Sequence, residues 1–246
     1  MIYYNPFINL AIEKNPNTMP ENYLIQNLPS FKGETLDKYL AAGWYRYGAQ
    51  IFTINSFTES ETEYDVYWLR YNVEKITISK SSRELIKKNN HFEVAIRPFV
   101  LTREMEDLHN VYFNSIDFIT SNTIHSLMED IDSFIYDSYS IEIRDENKLI
   151  AVGIFDEGKN SIAGIKNFYD PEYKKFGLGK LLMLIKYQYC LTQKIQWYYP
   201  GYFAPGYKKF DYKLFMDKNA TEVFLFEKQQ WVPYGLFAKE KNIINL

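Results

Sequence analysis

Two aspartates lie where strand-like segments end, and a carboxylate in such a place could form a turn or act in a site. Asp156 closes the apolar segment 152–156 (VGIFD), and Asp170 follows an aromatic pair in 168–171 (FYDP). A turn-forming role is the alternative for both residues, because Asp before Pro is a turn signal in any protein.

A turn that contains lysine and glycine follows Asp170. Residues 174–179 read KKFGLG and lie between a predicted strand and a predicted helix. Glycines there let backbone N–H groups approach an anion at the start of a helix, and lysines add positive charge. The spacing is similar to the pyrophosphate-binding turn of the GCN5-related N-acetyltransferases (GNAT), with Lys174 where Gln or Arg is usual. An ordinary helix start is the alternative.

Aromatic residues and lysines are interleaved in the segment 197–213 (WYYPGYFAPGYKKFDYK). Its glycines and prolines favour a loop over buried core. Aromatic rings stack on bases and lysines neutralise phosphates, so the pattern is typical of a nucleic-acid contact. The alternative is a rigid loop that caps a sheet.

Charge is unevenly distributed along the 246 residues, although the net charge is only −3. Residues 104–146 hold eleven acidic side chains and one arginine, whereas 172–213 hold eight lysines and two acids. The lysine-rich stretch could meet an anion, and a solvated helix and loops are the alternative. The aromatic content of 18% fits either a wide sheet with a heavy core or a site that stacks planar ligands.

Composition excludes several classes of protein. Hydrophobic residues at 46% and charged residues at 24% are typical of a folded domain and not of a disordered or collagen-like chain. A single cysteine, Cys190, cannot form an internal disulfide, and with three histidines it gives no expected metal site. The N-terminus lacks a signal-peptide pattern, and no stretch approaches the ~20 apolar residues that cross a bilayer. We therefore expect a cytoplasmic protein with no membrane segment.

The elements that must position these residues follow an α+β order, with an expected division near residue 100. After an irregular start over 1–30, the first part (1–100) is expected to hold helices over 34–47 and 80–89 and strands over 50–55, 64–79 and 92–99. The second part (101–246) is expected to hold helices over 102–118, 123–131 and 178–191. Its expected strands cover 139–144, 149–155, 162–169, 195–199 and 223–226.

Several motifs, all in the same order, resemble the aminoacyl-tRNA–protein transferases that arginylate or leucylate protein N-termini (the N-end rule). The matching segments are 43–48 (GWYRYG), 79–89 (SKSSRELIKKN), 152–156, 168–171, 177–179 and 199–213. The resemblance implies a C-terminal GNAT-like mixed sheet flanked by helices over 101–246. It also implies a smaller N-terminal α+β domain over 1–100.

The chain departs from this family in its cysteines. The family's N-terminal domain carries a cysteine cluster implicated in binding an iron–sulfur cluster or haem, and here residues 52–79 contain none. Tyr207 stands where the family has a further cysteine. We therefore expect no metal and no cofactor, and the chain resembles a diverged member.

The function that the resemblance implies is an arginyltransferase-like aminoacyltransferase. It would move an amino acid from arginyl- or leucyl-tRNA to the N-terminal α-amine of a protein or peptide, with no covalent enzyme intermediate. An aminoacyl ester is already activated, so orientation, a proton acceptor and stabilisation of the oxyanion suffice. The expected proton acceptors are Asp156 and Asp170. The expected contacts to tRNA and substrate are Tyr169, Lys174, Gly177, Gly179, Tyr199, Tyr202, Lys208, Lys209, Tyr212 and Lys213, with phosphate contacts from Arg83, Lys87 and Lys88.

Two other functions are compatible with the sequence. One is a GNAT N-acetyltransferase that uses acetyl-CoA at the same turn; Lys174 and the aromatic segment argue against it. The other is a non-catalytic module that recognises N-termini or tRNA, which the lost cysteines leave open.

Overall fold

The computed structural model describes residues 23–26, 28–59, 61–116, 123–128 and 135–243. Most of the expected irregular start over 1–30 lies outside these ranges. The α-helices are α1 (Glu34–Ala41), α2 (Lys80–Lys88), α3 (Arg103–Ser115), α4 (Ile124–Met128), α5 (Leu178–Gln193) and α6 (Tyr234–Glu240). The strands are β1 (Tyr23–Gln26), β2 (Tyr45–Tyr47), β3 (Gln50–Ile54), β4 (Ser56–Glu59), β5 (Thr62–Asp65), β6 (Tyr67–Asn72), β7 (Glu93–Pro98), β8 (Ser138–Asp145), β9 (Lys148–Glu157), β10 (Ser161–Tyr169), β11 (Trp197–Phe203), β12 (Thr221–Leu225) and β13 (Gln230–Pro233).

A mixed sheet of eight strands organises the molecule, in the order β13-β12-β6-β11-β10-β9-β8-β7. Its neighbours pair antiparallel except β10 and β11, which are parallel. A parallel pair needs a crossover, and here the chain crosses through a 3-10 turn at Pro171–Phe176 and then α5. This crossover brings the predicted glycine turn to the end of β10.

The core lies on both faces of this sheet, because successive strand residues point to opposite sides. On β11, Tyr198 packs in the cluster that includes α5, whereas Tyr199 packs in the cluster that includes α1. On β9, Val152 and Ile154 face a third cluster with α3. Helices therefore flank the sheet on both sides, as expected for the α+β order.

Several predicted elements are confirmed with their caps. Helix α3 begins after Thr102, whose side chain accepts a hydrogen bond from the Met105 amide at 3.3 Å. Helix α2 ends at Asn89, as its Asn-Asn sequence indicates. Strands β8, β9 and β10 form the expected antiparallel meander. Only the part of the helix expected over 123–131 that forms α4 is described.

Three predictions were wrong. The helix expected over 34–47 ends at Ala41, because Gly43 takes a φ of +78° against the ring of Phe224 and the chain turns into β2. The strand expected over 64–79 is divided into β5 and β6. The strand expected over 195–199 continues as β11 to Phe203, past Pro200 and Gly201, with a register shift between Tyr198 and Gly201. Strand β13 and helix α6 were not predicted from the sequence.

The expected division near residue 100 does not coincide with a break in the sheet. Strands β6 and β7 precede residue 100, yet they pair with β11, β12 and β8, which follow it. Separate folding of residues 1–100 stays a prediction.

Candidate active site at a strand divergence

The parallel strands β10 and β11 separate after a short paired stretch, and this divergence is the candidate active site. Their register ends at Ala163 and Tyr199, although β10 runs on to Tyr169 and β11 to Phe203. The Tyr45 phenol oxygen lies 2.7 Å from the Gly164 carbonyl oxygen and 2.8 Å from the Tyr199 carbonyl oxygen. One hydroxyl thus joins the two strands where their pairing ends.

Tyrosines surround the divergence. The half-exposed Tyr212 lies in the 3-10 turn at Lys208–Leu214, which packs against β11. Tyr169, at the end of β10, stacks near Tyr112 with ring centroids 5.2 Å apart. Phenols with apolar bodies and polar tips suit a site that must hold both a flat ring and polar atoms.

Three lysine amines lie around the same divergence. Lys186 comes from α5, Lys166 from β10 and Lys213 from the 3-10 turn at Lys208–Leu214. Burial lowers the pKa of Lys166 to about 8 and those of Lys186 and Lys213 to about 7, because desolvation disfavours an ammonium. Sequence reasoning missed Lys186 and Lys166, and a lone lysine within an apolar helical run was the available signal for Lys186.

The structure separates the two predicted proton acceptors. Asp156 lies near one end of the β9–β10 hairpin, paired with Ala163, and the Asp170 amide bonds to Ile150 at the other end. Six strand positions, about 20 Å at the usual rise, lie between them. They cannot act together on one substrate.

Asp156 is engaged in a buried ion pair. Its side chain is fully buried, and Arg46 and Ser138 donate hydrogen bonds to Oδ1 at 2.9 and 2.6 Å. Burial raises the pKa of Asp156 despite the opposing charge of Arg46. The Arg46–Asp156 pair joins the segments 43–48 and 152–156. Arg46 also donates a hydrogen bond to the Met128 carbonyl at 2.8 Å. The expected position beside the donor turn is therefore wrong for Asp156.

Asp170 does lie beside the glycine turn, where it caps the turn. Its carboxylate accepts a hydrogen bond from the Glu172 amide at 2.9 Å and pairs with Lys148 at 2.7 Å. Only 6% of Asp170 is exposed. Its catalytic role stays a prediction.

Two predicted basic groups come together at the start of α5. Lys88 and Lys175 both lie over the Phe176 ring, and the Asn89 amide donates to the Phe176 carbonyl at 3.0 Å. Lys174 is exposed on the same turn, as are Arg83 and Lys87 on α2. We define the basic face as Arg83, Lys87, Lys88, Lys174 and Lys175.

Gly177 links this basic face to α5. Its φ of +64° lies in the left-handed region, and no side chain caps the helix there. The first amides of α5 are thus available to an anion next to the basic face. A Cβ on Gly179 would lie 3.5 Å from the Tyr169 ring, at ordinary contact distance, so the start of α5 packs beside the end of β10.

The aromatic segment is only partly a surface loop. Tyr199 and Tyr202 are 3% and 6% exposed and belong to the core, and the Lys213 amine donates to the Tyr202 carbonyl at 2.6 Å. Their expected contact with a tRNA acceptor stem is wrong, because buried rings within a sheet cannot stack on bases. Lys208 and Lys209 are exposed, with Lys209 3.6 Å from Glu59.

Further features of the described residues concern metal-ligand groups, the cysteine and membrane-spanning helices. Among residues 23–243 with the gaps stated above, no three His, Cys, Asp or Glu side chains form a group that could hold a metal ion. Burial raises the pKa of the Cys190 thiol, which removes it as a nucleophile. No described helix is both long enough and apolar enough to cross a bilayer.

Comparison with known proteins bears on this site. A family model described as "Arginine-tRNA-protein transferase, C terminus" matches residues 89–220, which include β10, the glycine turn, α5 and β11. The chain belongs to this family. The resemblance found in the sequence motifs is confirmed, and the match covers the whole divergence.

Individual relatives extend the likeness beyond this range. An aspartate/glutamate leucyltransferase from Helicobacter hepaticus is 28% identical over 223 residues, 86% of this chain and 88% of the relative. One from Leptospira interrogans is 24% identical, covering 69% of this chain and 68% of the relative. Among solved structures, L-PGS from Bacillus licheniformis is 12% identical with a TM-score of 0.41, covering 56% of this chain and 48% of that one.

Proposed function

We propose that this aminoacyl-tRNA–protein transferase family member moves an amino acid from a charged tRNA to the N-terminal α-amine of a protein or peptide. The family match over 89–220 carries the proposal, because it spans both strands of the divergence. We further propose leucyl-tRNA as the donor and N-terminal Asp or Glu as the acceptor, since the relatives are named aspartate/glutamate leucyltransferases.

The divergence would hold the aminoacylated end of the tRNA. A parallel pair that separates beside a glycine turn and a helix start supports a GNAT-like fold for this part of the chain. The planar adenine has the Tyr112, Tyr169 and Tyr212 rings to pack on. The ester carbonyl would lie deeper, near the hydroxyl of Tyr45.

The basic face would hold the phosphates behind that end. Its five cations are exposed and adjoin the free amides at the start of α5. Backbone amides and lysines bind phosphate without reading sequence, so this contact orients any tRNA. Lys208 and Lys209 would add a second exposed pair on the other side of the divergence.

The reaction needs no enzyme nucleophile. The α-amine attacks the ester carbonyl carbon, the new peptide bond forms, and the carbon–oxygen bond to the ribose breaks. The ribose hydroxyl leaves with a proton, and the α-amine loses one. The described residues serve to orient the two substrates and to move these protons.

The test is a donor comparison with purified protein. Peptides that begin with Asp, Glu or Ala are incubated with labelled leucyl-tRNA, arginyl-tRNA or acetyl-CoA, and label on the peptide is counted. We expect transfer from leucyl-tRNA to the Asp and Glu peptides. Label from acetyl-CoA alone would replace this proposal with an acetyltransferase, and tRNA binding with no transfer would replace it with a binding module.

A further inference from the structure

The Lys186 amine is buried without a carboxylate partner. Only 1% of the residue is exposed, and Nζ donates to Asn167 Oδ1 at 2.6 Å. Within the described part of the chain this amide is its one hydrogen-bond partner, and no ion pair reaches it. A buried ammonium in such a place is costly, since one neutral amide replaces little of the lost hydration.

Two glycines make room for this amine at the start of the strand divergence. A Cβ on Gly153 would lie 3.3 Å from Lys186 Nζ, and one on Gly164 would lie 3.8 Å from it. Gly164 directly follows the last paired residue of β10, and its carbonyl accepts the Tyr45 hydroxyl. The Lys186 amine therefore packs close to the residue at which the two strands separate.

The predicted carboxylates do not supply a base at this point. Asp156 is held by Arg46 in a fully buried pair, and Asp170 is held by Lys148 at the far end of the hairpin. An N-terminal amine has an ordinary pKa of about 7.7–8.0, so most of it is protonated at neutral pH. A proton acceptor at the point where the strands separate would therefore be a group other than these two residues.

We propose that the neutral Lys186 amine accepts the proton that the acceptor's α-ammonium must lose before it attacks the aminoacyl ester. This role rests on the proposed function. Lys186 gains a proton and becomes an ammonium, the neutral α-amine forms the peptide bond, and the ester carbon–oxygen bond breaks. The second proton of the amine nitrogen passes to the leaving ribose oxygen, and the Lys186 ammonium releases its proton to solvent, which restores the neutral lysine.

The surroundings of Lys186 keep it near neutrality. Asn167 faces it from β10 and Gly153 from β9, and the Tyr198 side chain of β11 lies against Gly164 beside it; none of these carries a charge at neutral pH. Cys190, one turn further along α5, is neutral as well. The charged side chains of α2, which include Lys80 and Glu84 as well as its part of the basic face, are exposed, and so are Glu74 and Lys75 of the 3-10 turn at Val73–Lys75. Burial alone lowers the pKa of Lys186 to about 7, close to the value that suits a base at neutral pH.

The variant that tests this role is Lys186→Met, which keeps an unbranched side chain one atom shorter and removes the amine. At pH 7 we expect its kcat/KM for a Glu-initiated peptide to fall on the order of 10²-fold or more, typical of a lost base. Its denaturation midpoint should stay equal or rise, because an unpaired buried amine has been replaced by an apolar group. A fall in stability with unchanged kcat/KM would assign Lys186 a packing role and overturn the proposal.

The pH profile separates a base from a cation. Above the pKa of the acceptor the amine arrives neutral, so the ratio of wild-type to Lys186→Met rates should shrink between pH 7 and pH 8.5. The wild-type rate itself should not fall over this range. A constant ratio, or a wild-type rate that falls as pH rises through 7, would overturn the proposal.

Two further variants complete the design. Cys190→Ala removes buried volume from the same helix one turn away, and its rate and pH profile should match the wild type. Lys186→Gln keeps a partner for Asn167 and serves if Lys186→Met does not fold; it should lose activity in the same way. Failure of the wild type to transfer from any aminoacyl-tRNA would overturn the proposed function and this role with it.

Discussion

Among single residues, aspartate has different structural roles at positions 156 and 170. Asp156 neutralises the charge of Arg46 within the core, whereas Asp170 caps an exposed turn and pairs with the half-exposed Lys148. In the sequence, Asp156 and Asp170 each end a strand-like segment of apolar or aromatic residues, so the pattern alone does not distinguish their roles. Burial decides which of them is a structural ion pair.

This difference predicts unequal costs for two conservative changes. Asp156→Asn leaves the Arg46 charge buried and unpaired, so we expect a loss of about 3–5 kcal/mol in the free energy of unfolding. Asp170→Asn keeps the cap and loses a partly screened pair, so we expect about 1 kcal/mol or less. Denaturant titration of both variants measures the contrast. Equal costs would show that the Arg46 pair does not hold the core.

At the scale of elements, the basic face depends on two segments that are distant in sequence. Helix α2 and the turn before α5 meet through Phe176 and Leu85, which bring two lysine pairs together. Each pair is unremarkable by itself, because surface lysines are common. Their convergence beside uncapped helix amides makes the surface suited to phosphates.

Neutralising this face should weaken tRNA binding in a salt-dependent way. We expect the variant with Lys87, Lys88, Lys174 and Lys175 all changed to Ala to bind tRNA at least tenfold more weakly at moderate salt. The slope of log affinity against log salt should fall as well, since fewer counterions are released. The measurement is binding across a salt series. Lys228→Ala with Lys239→Ala, two exposed lysines near β13 and α6, is the control and should leave the slope unchanged.

The elements that sequence predicts well are those with a regular period and a clear cap. Helix α3 has Thr102 at its start, α5 has an apolar stripe, and β8, β9 and β10 are separated by short turns. The continuation of β11 past Tyr199 was not predicted because Pro200 and Gly201 are typical of a loop, and a register shift accommodates both inside the sheet. Lys186 was missed for a related reason: only the tertiary contact with Gly153 and Gly164 shows where its amine lies.

At the scale of the whole molecule, buried amines should shape stability against pH. Lys166, Lys186 and Lys213 have folded pKa values of about 8, 7 and 7, below the ordinary value near 10.4. Between about pH 7 and 9 the unfolded chain binds more protons than the folded one. The free energy of unfolding should therefore rise with pH, by up to about 1.4 kcal/mol per unit for each neutral lysine.

Above that range the sign reverses. The buried Tyr71 and Tyr198 phenols and the Cys190 thiol have raised pKa values, so they ionise first in the unfolded chain. Denaturant midpoints at a series of pH values check the whole curve. A stability that is flat or falling from pH 7 to 9 would contradict the burial of the three amines.

The molecule as a whole is a sheet opened at one parallel pair, with the basic face on one side of the opening and lysine amines of lowered pKa around it. The aromatic abundance of the sequence is mostly core, as Tyr71, Tyr198 and Phe203 show. Tyr112, Tyr169 and Tyr212 are the rings left at the opening. This arrangement ties the family's chemistry to one region of the fold.

The most direct test is to identify the product on the acceptor. A peptide that begins with Glu and an N-acetylated copy are each incubated with the protein and leucyl-tRNA, then sequenced by tandem mass spectrometry. The account predicts that the free peptide gains one leucine on its N-terminal nitrogen and that the acetylated copy gains nothing. A free peptide left unmodified by every aminoacyl-tRNA, or modification of both peptides alike, would contradict it.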